Sequence, residues 1–403
     1  MFNEDSARRG VTYPRGFVAA GIRAGIKKSG NLDLALIYTE KKAALAGTFT
    51  KNKVAAAPVL YDREVVATGS GHAIVANAGC ANACTGGQGL KDAREMAAAA
   101  AEALGCQADD VIVGSTGIIG VNLPMDKVTA GIKKIVGELS DKGSKDANLA
   151  IMTTDTKQKA CSCSLLLGGK EVRLGAICKG SGMIRPNMAT MLCYITTDAA
   201  ITAPLLQKAV SSAVEYSFNM VSVDGDMSTN DSCVCLANGE AGNPLIDSEN
   251  EDYDAFAARL KEICIGLAQR MAADGEGATK LITVKVTGAR SFPEAKATAM
   301  SVAQSPLVKT AFFGEDPNWG RVICAVGYAD APMVPEKTVV RFGDVVVFDK
   351  GLGAKFDEEK LRQVMSRHDI TIGVELGLGE AEATVWTCDF SYEYVKINGE
   401  YHT

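Results

Sequence analysis

Apolar positions along the chain follow two spacings, every second residue or every third to fourth, and each spacing predicts its own kind of element. Through residue 60 the apolar runs are short and separated by polar turns, as at Leu34-Ala35-Leu36-Ile37 and from Leu45 to Phe49. His72-Ala73-Ile74-Val75-Ala76 predicts a strand, followed by a glycine- and asparagine-rich loop through Gly89. An alanine-rich helix is expected over 90–104, and then a strand at Val111-Ile112-Val113 that runs into Gly114-Ser115-Thr116-Gly117-Ile118-Ile119-Gly120. A second helix is expected around 126–139, and a further strand from Leu149 to Met152 that ends in Thr153-Thr154-Asp155-Thr156.

The second half opens on strand-like Met191 to Thr197 and a helix near 203–216. Phe256, Leu260, Ile263, Leu267 and Met271 form one apolar stripe of an amphipathic helix, with Asp254 as its expected N-cap. Asp274-Gly275-Glu276-Gly277 stops that helix, and Leu281 to Val286 reads as a half-buried strand. Strands near 338–349, 370–376 and 381–387 surround a helix near 357–367. No internal repeat or low-complexity linker interrupts the pattern. The expected class is α/β (α+β), with mixed sheets flanked by helices.

Composition narrows the chemistry. The chain has 403 residues, of which 47% are hydrophobic and 22% charged, as in a folded globular protein. Its net charge is −6 with dispersed basic residues, so no nucleic-acid surface is expected. The twelve cysteines are spread from Cys80 to Cys388, and the acidic start Met1-Phe2-Asn3-Glu4-Asp5 has no apolar signal region. A reducing, cytoplasmic setting is the expectation. The longest apolar stretch, at 96–104, is interrupted by Glu102 and falls short of the roughly 20 residues a membrane span needs, so no membrane segment is expected.

Three histidines, His72, His368 and His402, stand in no H-E-x-x-H pattern, and there is neither a G-x-S-x-G elbow nor a P-loop. The cysteine pairs Cys80/Cys84, Cys161/Cys163 and Cys233/Cys235 lack the four-ligand spacing of a zinc site. They read as small buried hydrophobes, and no metal is expected. Gly114-x-x-Gly117-x-x-Gly120 is not a dinucleotide fingerprint, and no cofactor is expected.

One segment stands apart, Lys179-Gly180-Ser181-Gly182-Met183-Ile184-Arg185-Pro186-Asn187-Met188-Ala189-Thr190-Met191-Leu192. It is a glycine- and proline-bearing loop that delivers a threonine to the first position of an apolar strand. Taken alone, it is an ordinary loop feeding a strand, because threonine favours strands. The run from Gly180 to Leu192, however, resembles the self-cleavage site of the glutamate N-acetyltransferase/ornithine acetyltransferase family of arginine biosynthesis. So do Asn77-Ala78-Gly79-Cys80-Ala81-Asn82-Ala83-Cys84-Thr85-Gly86, Gly114-Ser115-Thr116-Gly117, Met152-Thr153-Thr154-Asp155-Thr156, Asp224-Gly225-Asp226-Met227-Ser228-Thr229-Asn230-Asp231 and Gly314-Glu315-Asp316-Pro317-Asn318-Trp319-Gly320-Arg321, in the family's order. The resemblance covers essentially the whole chain. Cys80 departs from it, standing where asparagine or another small polar residue is expected.

The resemblance implies cleavage between Ala189 and Thr190, dividing the chain into an alpha fragment, 1–189, and a beta fragment, 190–403. It also implies a layered architecture shared with self-processing aminopeptidases. A threonine hydroxyl is a weak nucleophile that needs an adjacent base. Cleavage frees the α-amine of Thr190, whose ordinary pKa of about 7.7–8.0 suits that role. By resemblance, Thr190 is the nucleophile and carries the acetyl group, while Thr116 and Gly117 form the oxyanion hole.

Lys179, which by itself reads as a solvated lysine, is implied in substrate binding, as are Glu276, one of Thr153 and Thr154, Asn398 and Thr403. The implied reaction moves acetyl from N²-acetylornithine to glutamate, with acetyl-CoA as a co-substrate in a second activity. The implied partners are the enzyme's own fragments, two alpha and two beta chains in a heterotetramer. The alternative is an aminopeptidase or amidohydrolase with an N-terminal nucleophile on a related fold.

Overall fold

The computed structural model describes residues 9–185 and 191–400. They divide into two compact units. The first comprises the described parts of Met1–Gly180, Asn187–Asn219 and Met227–Leu267, and the second those of Ser181–Pro186, Met220–Asp226 and Ala268–Thr403.

The first unit is built on an eight-stranded mixed sheet. Its strands are β1 (Phe17–Ile22), β2 (Leu34–Phe49), β3 (Ser70–Cys80), β4 (Val111–Ile118), β5 (Lys159–Leu167), β6 (Lys170–Lys179), β7 (Leu192–Thr197) and β9 (Ser232–Ala237), while β8 (Val221–Ser222) belongs to the second unit. The order is β4-β3-β2-β9-β7-β6-β5, with β1 on the first half of β2. Every residue of β7 and β9 is buried, as their nearly unbroken apolar runs require. The two runs expected at 34–37 and 45–49 are one strand, β2, whose register with β3 shifts between Tyr38 and Ala43.

The sheet curls across β2. β4 and β7 are well separated in strand order, yet a Cβ on Gly114 would stand 2.0 Å from Tyr194 Oη. That curl brings the ends of non-neighbouring strands together. β7 and β9, C-terminal to residue 190, pair with β6 and β2, N-terminal to it.

Five helices accompany this sheet: α1 (Ala57–Val66), α2 (Gly86–Leu104), α3 (Met125–Ile135), α4 (Ser144–Ile151) and α5 (Ala203–Glu215). In α2, Gly89, Asp92, Ala93, Met96, Ala97, Ala100 and Ala101 form the buried stripe, and Gly105 ends the helix at φ +73°. The strand expected over Leu149 to Met152 is instead the end of α4. Four apolar residues cannot distinguish the two periods, but buried Ser144, Ala147, Asn148 and Ile151 lie at helical spacing.

α6 (Glu251–Ala273) carries the predicted stripe, with Phe256, Leu260, Ile263, Leu267 and Met271 all fully buried. It begins earlier than expected. Asn250 Oδ1, rather than Asp254, accepts the Tyr253 N–H at 3.0 Å.

The second unit holds a seven-stranded sheet of order β13-β12-β11-β14-β10-β15-β8. Its further strands are β10 (Leu281–Ala289), β11 (Val339–Phe342), β12 (Val345–Asp349), β13 (Leu352–Gly353), β14 (Asp369–Glu375) and β15 (Ala381–Cys388). Ile282, Val284 and Val286 alternate inward on β10, as predicted. α7 (Phe292–Gln304) packs on β10 and β15, and α8 (Pro306–Phe313), α9 (Trp319–Gly327), α10 (Glu358–Met365) and α11 (Tyr392–Glu400) complete the unit. α11 extends to Glu400, at the end of the described residues. Among the described residues no helix is long and apolar enough to cross a membrane.

Candidate active site

Ala189, Thr190 and Thr403 lie outside the described residues. The remaining predicted site residues fall into two groups, one in each unit.

In the first unit, β3 and β4 run parallel and end in paired glycines, Gly79 and Gly117, at φ +109° and +128°. A Cβ on Gly117 would lie 2.5 Å from the Gly79 carbonyl carbon and 2.7 Å from Cys80 N, so only glycine permits this approach. A buried amide network holds the turn. Ser115 Oγ donates to Asn77 Oδ1 at 2.6 Å, and Asn77 Nδ2 donates to the Cys80 carbonyl at 2.9 Å. Asn230 Nδ2 donates to the carbonyls of Ala81 (2.6 Å) and Ser115 (2.9 Å). With its backbone held in this way, Thr116 is 6% exposed and presents its hydroxyl to Lys179.

Lys179 ends β6 and is 3% exposed, not the solvated lysine its position in the sequence suggests. Its Nζ donates to Thr116 Oγ1 at 3.3 Å, joining two predicted site residues that are 63 positions apart. Asp155 supplies nearby negative charge. Its Oδ1 accepts from Lys159 Nζ and from Gly180 N, each at 2.7 Å. Burial opposes its ionisation, but the charges of Lys179 and Lys159 and the Gly180 N–H outweigh burial and hold Asp155 down at about 2. Thr153 N donates to Asp155 Oδ2 at 3.2 Å. Of the two candidate threonines, Thr153 lines a cavity of about 450 Å³ beside this cluster.

Lys179 also pairs with Leu192, and Leu192 with Ser232, so β6, β7 and β9 share this end of the sheet. Asp231, fully buried, accepts the Met191 N–H at 3.0 Å through Oδ1, whereas its Oδ2 finds no hydrogen-bond partner among the described residues. Burial pushes this carboxyl well above the usual carboxylate range, against the Met191 N–H and the Lys179 charge. Asp231→Ala leaves the buried Met191 N–H unpaired, at a cost of about 1–3 kcal/mol. A melting temperature lower by several degrees is expected. Asp231→Asn, which keeps an acceptor of the same size, should recover most of it, and an unchanged melting temperature in the alanine variant removes Asp231 from this role.

In the second unit, the Asp274-Gly275-Glu276-Gly277 turn after α6 exposes only 8% of Glu276. Its N–H donates to the Ser181 carbonyl at 2.9 Å, and Asn398 Nδ2 on α11 donates to Glu276 Oε2 at 2.8 Å. The structure thus brings together two residues assigned from opposite ends of this region. Gly182 faces the same carboxylate, since a Cβ there would lie 2.4 Å from Glu276 Cδ. Asp224 holds the loop, accepting from Met183 N (2.5 Å), Ile184 N (2.9 Å) and Asp226 N (3.1 Å). Its two loop contacts steady Met183 at φ +56°. Burial pushes Asp224 up to about 6 in spite of these donors.

Asp155, Asp224, Asp231 and Asn230 were not singled out from the sequence. Their only signal there is that they lie within polar runs that also carry the resemblance.

A sequence model described as the ArgJ family matches residues 18–403. The arginine biosynthesis bifunctional protein ArgJ of Symbiobacterium thermophilum is 50% identical over 396 residues, 98% of each chain. ArgJ 1 of Clostridium acetobutylicum is 49% identical over 391 residues, 96% of each. The crystal structure of arginine biosynthesis bifunctional protein argJ from Bacillus halodurans is 41% identical with a TM-score of 0.50, covering 52% of this chain and 98% of that one. With a match over nearly its whole length and relatives at half identity, the chain belongs to the ArgJ family.

Proposed function

We propose that this protein is an acetyltransferase of arginine biosynthesis that moves acetyl from N²-acetylornithine to glutamate, and also acetylates glutamate from acetyl-CoA. The observation that carries the reading is the Lys179–Thr116 contact at the sheet end where Asp231 holds the Met191 amide. A fixed hydroxyl, a cation and a glycine turn are thereby gathered beside the peptide unit that follows residue 190.

In this reading the Thr190 hydroxyl first attacks the Ala189 carbonyl carbon. The C–N bond breaks, the nitrogen takes a proton, and water hydrolyses the resulting ester to free Thr190 as a new N-terminus. The α-amine then takes the hydroxyl proton as Thr190 attacks the acetyl carbonyl of N²-acetylornithine. Ornithine leaves with that proton, and the amine of glutamate accepts the acetyl group from the threonine ester. Thr116 and Gly117 receive the oxyanion in each step. Lys179 and Thr153 contact the amino-acid substrate, and Glu276, oriented by Asn398, takes an ammonium group. Thr403 joins them as a substrate contact.

The two-fragment reading is supported by the Bacillus halodurans chain, which is matched over nearly all of its own length yet spans only about half of this one. Strands from both sides of residue 190 interleave in one sheet, so the fragments stay associated after cleavage. A cytoplasmic heterotetramer of two alpha and two beta chains follows from the family resemblance.

Ornithine release from N²-acetylornithine, measured with and without glutamate, tests the activity. Release that requires glutamate supports transfer, whereas equal release with water alone supports the hydrolase alternative. Glutamate-dependent appearance of free coenzyme A thiol tests the second activity.

A further inference from the structure

The cavity beside Thr153 has a cationic wall that the acetyl-transfer steps leave unused. Arg23, Lys27, Asn31, Met152, Thr153 and Asp155 are among the residues that line it. The cationic side is rigidly built. Asp33, fully buried, accepts from Ala24 N (2.6 Å), Ile26 N (2.6 Å) and Lys27 N (2.9 Å), three donors on one carboxylate. Lys27 lies along Gly79, where a Cβ would meet Lys27 Cγ at 3.2 Å. Gly79 in turn pairs with Gly117. The stem of Lys27 therefore packs on the strand that borders the glycine proposed to receive the oxyanion.

Among the described residues no carboxylate is hydrogen-bonded to Lys27 Nζ or to Arg23, although Asp33 and Asp155 lie near Lys27. Lys27 Nζ donates to two neutral carbonyls, Leu32 O (2.7 Å) and Ala150 O (3.4 Å). The Asp33 carboxylate is taken up by backbone N–H groups, and that of Asp155 by Lys159, Gly180 and Thr153. Arg23 is exposed and makes no hydrogen bond or ion pair among the described residues. Burial lowers Lys27 to about 8, with Asp33 and Asp155 pulling it up and Lys179 pulling it down, so it stays mostly protonated at neutral pH. A half-buried ammonium next to an unpaired guanidinium favours an anion.

The proposed reaction needs such a place. Its donor carries a cationic side chain and its acceptor an anionic one. A carboxylate that favours the first repels the second. We infer that the Arg23–Lys27 wall is the subsite for the side-chain carboxylate of the acceptor amino acid, and that Lys27 is a specificity-determining residue for a dicarboxylic acceptor. The inference rests on the acetyl-transfer reading with Thr116 and Gly117 at the acyl carbon. The packing of Lys27 against Gly79, the strand partner of Gly117, suits the two-carbon arm of glutamate, whereas the phosphates of coenzyme A hang at the end of a much longer pantetheine arm.

The test uses full-length enzyme carrying Lys27→Met, Lys27→Arg or Arg23→Gln, with initial rates measured against each substrate. Lys27→Met keeps the stem on Gly79 and is expected to raise KM for glutamate about tenfold or more, corresponding to about 1.4 kcal/mol. KM for N²-acetylornithine should stay within about twofold, Lys27→Arg should restore most of the loss, and Arg23→Gln should raise KM for glutamate about threefold. Discrimination between glutamate and glutamine as acceptors should shrink in parallel.

A parallel rise in both KM values, a rise confined to acetyl-CoA, or unchanged glutamate kinetics in an active enzyme each overturns the inference. If Lys27→Met does not fold, the exposed Arg23→Gln variant decides through the same ratio. A wild-type enzyme without glutamate-dependent transfer would instead sink the proposed function itself.

Discussion

Thr190→Ala is expected to leave the purified polypeptide at a single intact mass and to abolish acetyl transfer. The alanine side chain has no hydroxyl to attack the Ala189 carbonyl, so the bond that would release the α-amine stays closed. Without that amine and that oxygen, the protein loses base and nucleophile together. Groups that act as a unit do not lose activity piecemeal, so the residual rate should be background. Thr190→Ser keeps an oxygen and should cleave more slowly or less completely, giving a mixture of the whole chain with fragments 1–189 and 190–403. Intact mass spectrometry reads both outcomes and also detects any acetyl adduct on the second fragment. A Thr190→Ala protein that still yields two fragments, or an uncleaved protein that transfers acetyl at full speed, defeats the nucleophile assignment.

The second large effect is expected at Thr116. Thr116→Ala removes the hydroxyl that meets Lys179 Nζ at 3.3 Å and stands beside the Gly117 turn. Loss of one oxyanion donor costs about 10²–10³-fold in kcat, or roughly 3–4 kcal/mol. Because the side chain is small and the turn is held by Asn77 and Asn230, the fold should survive with little change in melting temperature. The loss should fall on kcat more than on KM, because the developing oxyanion exists only in the transition state. A variant that keeps full kcat excludes the Thr116 hydroxyl from the oxyanion site. Gly117→Ala offers no clean parallel test, because its Cβ would strike Gly79 and Cys80 and disturb the strand pair itself.

Much of the fold was legible from local pattern. The stripe of α6 and the alternation along β10 each express a single period over enough residues to be unambiguous. The failures came where the local signal was short or shared. Leu149 to Met152 was too brief to separate helix from strand, and the cap of α6 lay at Asn250, outside the apolar stripe that marked the helix. The helices α7, α8 and α9 were not predicted from the sequence.

By itself the sequence determined the secondary-structure class, the family resemblance and the identity of the candidate site residues, because each of these is written in neighbouring positions. Only the tertiary structure decided that Lys179 is buried against Thr116, that Asn398 meets Glu276, and that Asp231 holds the amide after residue 190. Burial and charge pairing arise between residues far apart in the chain, and no local spacing encodes which of them the fold brings together.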